Sequence, residues 1–142
     1  MVPKRIVVDA NILIRAVLGR RVRQLLESHC EEVDFYAAEA NVDEAAFYLA
    51  EVLAKKHHLR DNAWRPVWES VMSIVHVIPT DTLAGLESKA KARIASRDIN
   101  DWPAVAVALL LGCPVWTEDQ DFLGSGIATW TTATIELYLT GH

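Results

Sequence analysis

The chain reads as an α/β protein with three layers, α/β/α, built around a central, mostly parallel sheet of four to five strands. Two features predict this. Short apolar runs such as Ile6-Val7-Val8 and Pro114-Val115-Trp116 show no polar alternation, which suits strands buried on both faces. Between such runs lie segments whose apolar residues recur at helical spacing, and strands alternating with helices form a parallel sheet covered on both sides. A third feature bears on chemistry. Aspartates stand where the most apolar segments stop or start: Asp9 after Val7-Val8, Asp101 before an apolar helix, and Asp119 just beyond Thr117.

The elements follow in order. Arg5 to Val8 is the first strand, and Asn11 to Leu18 a helix that Gly19 interrupts. Val22, Leu25 and Leu26 carry helical spacing on to about His29, and Val33 to Ala37 is the second strand. Ala40 to about His58 is a long helix, with Val42, Ala45, Ala46, Leu49, Val52 and Leu53 on one stripe. Asp61 or Asn62 caps a helix through Trp64, Val67, Trp68 and Val71, with Pro66 in its first turns. Ile74 to Ile78 is the third strand, stopped by Pro79, and Asp81 or Thr82 caps a helix to about Ile94. After a polar loop, Asp101 caps a helix with Pro103 near its start and Gly112 at its end. Val115 to Thr117 is the fourth strand, Ile127 to Thr129 a short fifth, and Thr131 or Thr132 begins a last helix to about Leu139.

A length of 142 residues with 51% hydrophobic and 23% charged residues fits one compact domain, residues 1–142. No run approaches the roughly 18 apolar residues of a membrane span, and the first residues lack the apolar core of a signal peptide. Cys30 and Cys113 match no zinc spacing and read as reduced thiols in a cytoplasm. Gly124 and Gly126 form neither a dinucleotide fingerprint nor a P-loop, which excludes a nucleotide cofactor of those types. The net charge of −5 disfavours a broad electrostatic footprint on nucleic acid. It is unevenly spread: from Asp98 onward there are six acids and no Lys or Arg. Arg15, Arg20, Arg21 and Arg23 cluster after the first strand, as a local phosphate-holding patch or simply a solvated helix face.

In parallel sheets, sites form beyond the carboxyl ends of strands. That rule brings Asp9 and Asp119 to one edge, and Asp101 opens a helix nearby. Carboxylates gathered without cations repel one another unless a metal joins them, and oxygen-only donors suit a hard ion such as Mg²⁺. Such a site performs metal-assisted hydrolysis with water as nucleophile. Taken singly, each aspartate is also explained as a helix cap or turn residue. A further carboxylate is expected from the helix after the second strand, where periodicity does not choose among Glu39, Asp43, Glu44 and Glu51.

Three segments together resemble the signature of the PIN domain family: Val7-Val8-Asp9-Ala10-Asn11-Ile12-Leu13, then Asp101-Trp102-Pro103 with Ala106 and Ala108, then Pro114-Val115-Trp116-Thr117-Glu118-Asp119-Gln120-Asp121-Phe122. The resemblance spans almost the whole chain in order and spacing. It implies a Mg²⁺- or Mn²⁺-dependent endoribonuclease acting on RNA, with a VapC-type toxin held by an antitoxin protein as the role of many relatives. It implies Asp9, Asp101 and Asp119 as metal ligands and Glu44 as the helix acid, with Asp43 its rival. It gives Asn11 and Thr117 the task of orienting the acids, sets Asp98 in competition with Asp101, and has Asp121 shape the turn before Phe122. Two alternatives stand beside it: a non-catalytic PIN-like interaction module, and an aspartate-phosphorylating α/β protein, which would want a late lysine that this chain lacks after Lys91. Leu18, Val22 and Leu25 offer a homodimer face or an antitoxin groove, with core packing as the competing use.

Overall fold

A computed structural model of the chain describes residues 3–53, 55, 63–94 and 99–141. Strands β1 (Lys4–Val8), β2 (Val33–Ala38), β3 (Val75–Ile78), β4 (Val115–Trp116) and β5 (Thr129–Trp130) form one sheet in the order β3-β2-β1-β4-β5. Every pairing is parallel, with Ile6 opposite Phe35 and Val8 opposite Trp116. The helices are α1 (Ala10–Leu18), α2 (Arg21–His29), α3 (Glu39–Phe47), α4 (Arg65–Met72), α5 (Glu87–Ile94), α6 (Trp102–Leu111) and α7 (Ile135–Thr140).

Alternation along the strands divides the core in two, because successive side chains leave a strand on opposite faces. Ile6, Val8, Phe35, Ala37 and Val75 pack with α1, α2, α4 and α7 on one side. Val7, Ala38 and Val115 pack with α5 and α6 on the other. The result is the three-layer α/β/α arrangement with a parallel sheet. Complete burial of Ile12, Leu13 and Leu26 stabilises it by about 1.5–3 kcal/mol each. The sequence Trp102-Pro103-Ala104-Val105-Ala106-Val107-Ala108 is apolar nearly all round because α6 is enclosed, with residues 103 to 108 all buried. Gly112 ends it in the left-handed region at φ 64°, as its composition predicts.

Several boundaries differ from expectation for local reasons. α3 starts at Glu39, and its continuation Tyr48–Leu53 is a π-helix. The expected end near His58, like the caps Asp61 and Asn62, lies outside the described residues. The helix after β3 begins as a 3₁₀ helix, Thr80–Leu86, and takes α geometry only from Glu87, after Gly85 has weakened the earlier turn. The fifth strand is Thr129–Trp130, not 127–129, because the Ile127 amide donates to Ser125 Oγ at 3.3 Å and holds that stretch in a turn. The last helix starts at Ile135, since Thr131 and Thr134 bond to each other in a local turn that competes with helix. Val22 and Leu25 are core residues, so Leu18, 50% exposed, is the member of that trio left on the surface. Among the described residues no helix is long and apolar enough to cross a membrane.

Candidate metal site at the carboxyl edge of the sheet

β1 lies between β2 and β4. The chain winds from β1 through β2 to β3 on one side, then returns to β4 and β5 on the other. The crevice beyond the carboxyl ends of β1 and β4 is therefore the topological switch point, where ligands of such sheets bind. Asp9 is the first residue past β1, and Thr117 the first past β4.

Asp9 is buried and does two jobs. Its Oδ1 accepts a hydrogen bond from the Ile12 amide at 3.0 Å, capping α1, and its Oδ2 accepts one from the Thr117 hydroxyl. Thr117 Oγ1 in turn accepts from the Asp119 amide at 2.9 Å. One hydroxyl thus ties the end of β1 to the turn after β4. Burial pushes the Asp9 carboxyl up to about 6, against the lowering effect of the Thr117 and Ile12 hydrogen bonds, and the charges of Asp119 and Glu44 raise it further. The expected capping role of Asp9 is present. Asp101 stands at the N-cap position of α6 but makes no side-chain capping bond there, so that expectation is not met.

The acids open onto one cleft of about 690 Å³. Asn11, Ile14 and Arg15 reach it from α1, Glu44 from α3 and Tyr48 from the start of the π-helix. Asp101 reaches it from the turn before α6, and Glu118 and Asp119 from the turn after β4. Four sequence candidates, Asn11, Glu44, Asp101 and Asp119, therefore share a cleft, with Asp9 and Thr117 buried beside them. Asp43 is exposed and does not line it, and Glu39 accepts instead from the Thr80 amide at 3.1 Å. Asp98 lies outside the described residues. Asp121 belongs to the 3₁₀ turn Gln120–Phe122.

Sequence reasoning passed over Tyr48 and Glu118 as cleft residues, and took Arg15 only as one of an arginine cluster that could hold phosphate. The signal for Arg15 and Tyr48 was helical spacing: Arg15 is four residues after Asn11 and Tyr48 four after Glu44. Glu118 is held by the Thr132 amide, which donates to its Oε1 at 2.6 Å.

The donor chemistry fits a hard divalent cation. The cleft presents oxygen donors and neither His nor Cys, and the Asp9 carboxyl, raised first by burial and then by the charges of Asp119 and Glu44, is a group whose ionised form a cation would favour. Among the described residues, no three His, Cys, Asp or Glu side chains are yet grouped tightly enough to hold an ion, so binding requires the carboxylates to turn inward. Thr117 limits that movement at Asp9. Thr117→Val removes a donor to Asp9 and an acceptor for the Asp119 amide at nearly constant volume. Mn²⁺ affinity measured by calorimetry should fall by roughly 10- to 100-fold, as when other groups that orient metal ligands are lost. An unchanged affinity would separate the hydroxyl from metal binding.

Comparison with known proteins bears on this arrangement. Among curated proteins, none matches the chain. Solved structures resemble it over nearly their full length. PAE2754 from Pyrobaculum aerophilum superposes with a TM-score of 0.65 at 16% identity, covering 98% of this chain and 91% of that one. VapBC2 from Rickettsia felis, bound to a DNA fragment from its promoter, gives 0.67 at 10% identity, covering 89% and 98%. A toxin–antitoxin complex from Klebsiella pneumoniae gives 0.61 at 21% identity, covering 89% and 96%. At these identities the likeness is one of fold. The family is shown by a sequence model, that of the PIN domain, which matches residues 7–140. That span runs from Val7, near the end of β1, to the end of α7 and takes in every acid of the cleft, so this chain belongs to the PIN domain family.

Proposed function

We propose that this protein is a Mg²⁺- or Mn²⁺-dependent endoribonuclease that hydrolyses RNA phosphodiester bonds with water as the nucleophile. PIN domains are generally nucleases, which supports the class of reaction. The observation that carries the reading is the Thr117 bridge. It joins the buried Asp9 to the Asp119 turn at the switch point, beside a cleft that Glu44 and Asp101 also line.

Asp9, Asp101 and Asp119 would hold the metal. When bound, the ion supplies a Lewis acid that acidifies the attacking water and offsets charge on the phosphodiester oxygens. Thr117, donating to Asp9 Oδ2, leaves Oδ1 on the Ile12 amide and so fixes the direction in which that carboxylate faces. Glu44, which lines the same cleft, accepts the proton of the attacking water. Asn11, on the first turn of α1, orients the acids, and Asp98 and Asp121 keep the supporting roles that the sequence resemblance gives them.

A biological role as a toxin with an antitoxin partner in the cytoplasm, as a homodimer, completes the proposal. Its support is the fold shared with the Klebsiella pneumoniae toxin–antitoxin complex. The test is direct. Purified chain with Mn²⁺ should cut single-stranded RNA, and EDTA should stop it. Intact tRNA, rRNA and oligonucleotides after incubation with Mn²⁺, together with no Mn²⁺ binding by calorimetry, would favour a non-catalytic interaction module instead.

A further inference from the structure

Resting on the ribonuclease reading, we infer that Arg15 and Tyr48 form a nucleotide subsite beside the acids, with Arg15 holding a backbone phosphate and Tyr48 stacking on a base of single-stranded RNA.

Arg15, Arg20 and Arg21 of the arginine cluster share a neighbouring pocket with Leu18, Val22 and Thr132, but the members of the cluster have different partners. Arg23 donates from Nη1 to the Ala16 and Val17 carbonyls at 3.2 Å and so finishes α1. Arg21 pairs with Glu136. Arg15 alone of the cluster lines the acid cleft. It is exposed, and among the described residues its guanidinium makes no hydrogen bond or ion pair. A cation that stands beside Glu44, Asp101, Glu118 and Asp119 without pairing to them is positioned for an anion brought from outside. RNA supplies that anion. An acid cleft by itself repels a polyphosphate, and a planar guanidinium recognises phosphate oxygens two at a time.

Tyr48 provides the second contact. It is half-buried, packed against the core cluster, and it lines the same cleft. A partly buried aromatic ring at the wall of a cleft supplies the kind of surface on which any base can stack. It sits at the first residue of the π-helix, a distortion often retained at functional sites. The cleft volume of about 690 Å³ lies well inside the range of ligand clefts and far exceeds the need of an ion alone. Stacking of this kind requires a base free of its helix, which selects single-stranded RNA.

The experiment measures fluorescence anisotropy of a labelled single-stranded RNA in Mg²⁺. An Asp9→Asn background keeps the cleft lining without cleaving, and the measurement is repeated over a range of salt. Arg15→Ala should weaken binding by roughly 10- to 100-fold. It should also flatten the slope of log affinity against log salt by about 0.7, the share of one phosphate contact on a single strand. Arg15→Lys should restore the slope. Tyr48→Leu, which keeps an apolar side chain against the core, should weaken binding by roughly 5- to 100-fold with no change of slope, and Tyr48→Phe should bind as the parent. Lys89→Ala removes the same charge from α5, away from the cleft lining, and should change nothing. If the wild type cuts RNA while Arg15→Ala and Tyr48→Leu bind like the parent, or Lys89→Ala matches Arg15→Ala, the subsite is wrong and the nuclease reading stands. A wild type that neither cuts nor binds RNA overturns both.

Discussion

Asp9→Asn should lose RNA cleavage by on the order of 10²–10³-fold or more and, in EDTA, melt at a higher temperature than the wild type. Both effects come from one buried carboxyl. Its pKa is raised from 3.8 to about 6, first by burial and then by the charges of Asp119 and Glu44. A carboxyl harder to ionise when folded than when unfolded binds more protons in the folded state. Stability therefore falls as pH rises between those values and stays at its lower level above them. The penalty is absent below 3.8 and complete above about 6. Each pKa unit corresponds to about 1.4 kcal/mol, so the ionised carboxylate costs metal-free protein on the order of 2–3 kcal/mol near neutrality. Asparagine keeps an acceptor for the Ile12 amide and carries no charge. Denaturant titrations in EDTA should show the two proteins converging toward pH 4 and parting above pH 6, Asp9→Asn the more stable. Mn²⁺ should reverse the order at neutral pH, because only the wild type gains binding free energy. Equal stability of the two at every pH would mean that the Asp9 carboxylate is not strained by burial.

How much of this was legible in the sequence depends on the kind of signal. The parallel sheet was, because Ile6-Val7-Val8 and Val33 to Ala37 lack polar alternation and can only be strands with both faces covered. The positions of Asp9, Asp101 and Asp119 at element ends were also readable from punctuation alone. The split of the core was not. Val7 and Val8 look alike in sequence, yet they face different helical layers, and only the register assigns them. Glu44 and Asp43 could not be separated by helical period, since both fall away from the apolar stripe; only the packed fold shows that Glu44 lines the cleft and Asp43 does not. The arginine cluster misled in the same way. The cluster straddles two helices, so Arg15 of α1 ended at the cleft, while Arg21 and Arg23 of α2 ended in an ion pair and on the last carbonyls of α1.

Trp116→Ala should cost about 3–5 kcal/mol and lower the melting temperature by roughly 10–20 °C, the largest stability loss expected from a single change on the sheet. Trp116 is among the largest fully buried side chains, and it lies in the register between Val8 and Trp130. Its ring meets Phe35 at a centroid distance of 6.4 Å, and its indole N–H donates to Thr132 Oγ1 at 3.2 Å. Deleting it opens a cavity between β1, β2 and β4 and also releases Thr132, whose amide holds Glu118. The site should feel the same change. Thr117 follows Trp116 directly, and any drift of β4 moves the hydroxyl that joins Asp9 to the Asp119 turn. Trp116→Phe separates the two roles. It keeps most of the packing and loses only the bond to Thr132, so it should cost about 1–2 kcal/mol and leave Mn²⁺ affinity near that of the wild type. Trp116→Ala should instead lower both stability and Mn²⁺ affinity. A Trp116→Ala protein that melts within a few degrees of the wild type and binds Mn²⁺ normally would mean that β4 is held by its backbone pairing alone, and that the tryptophan does not support the acid cleft.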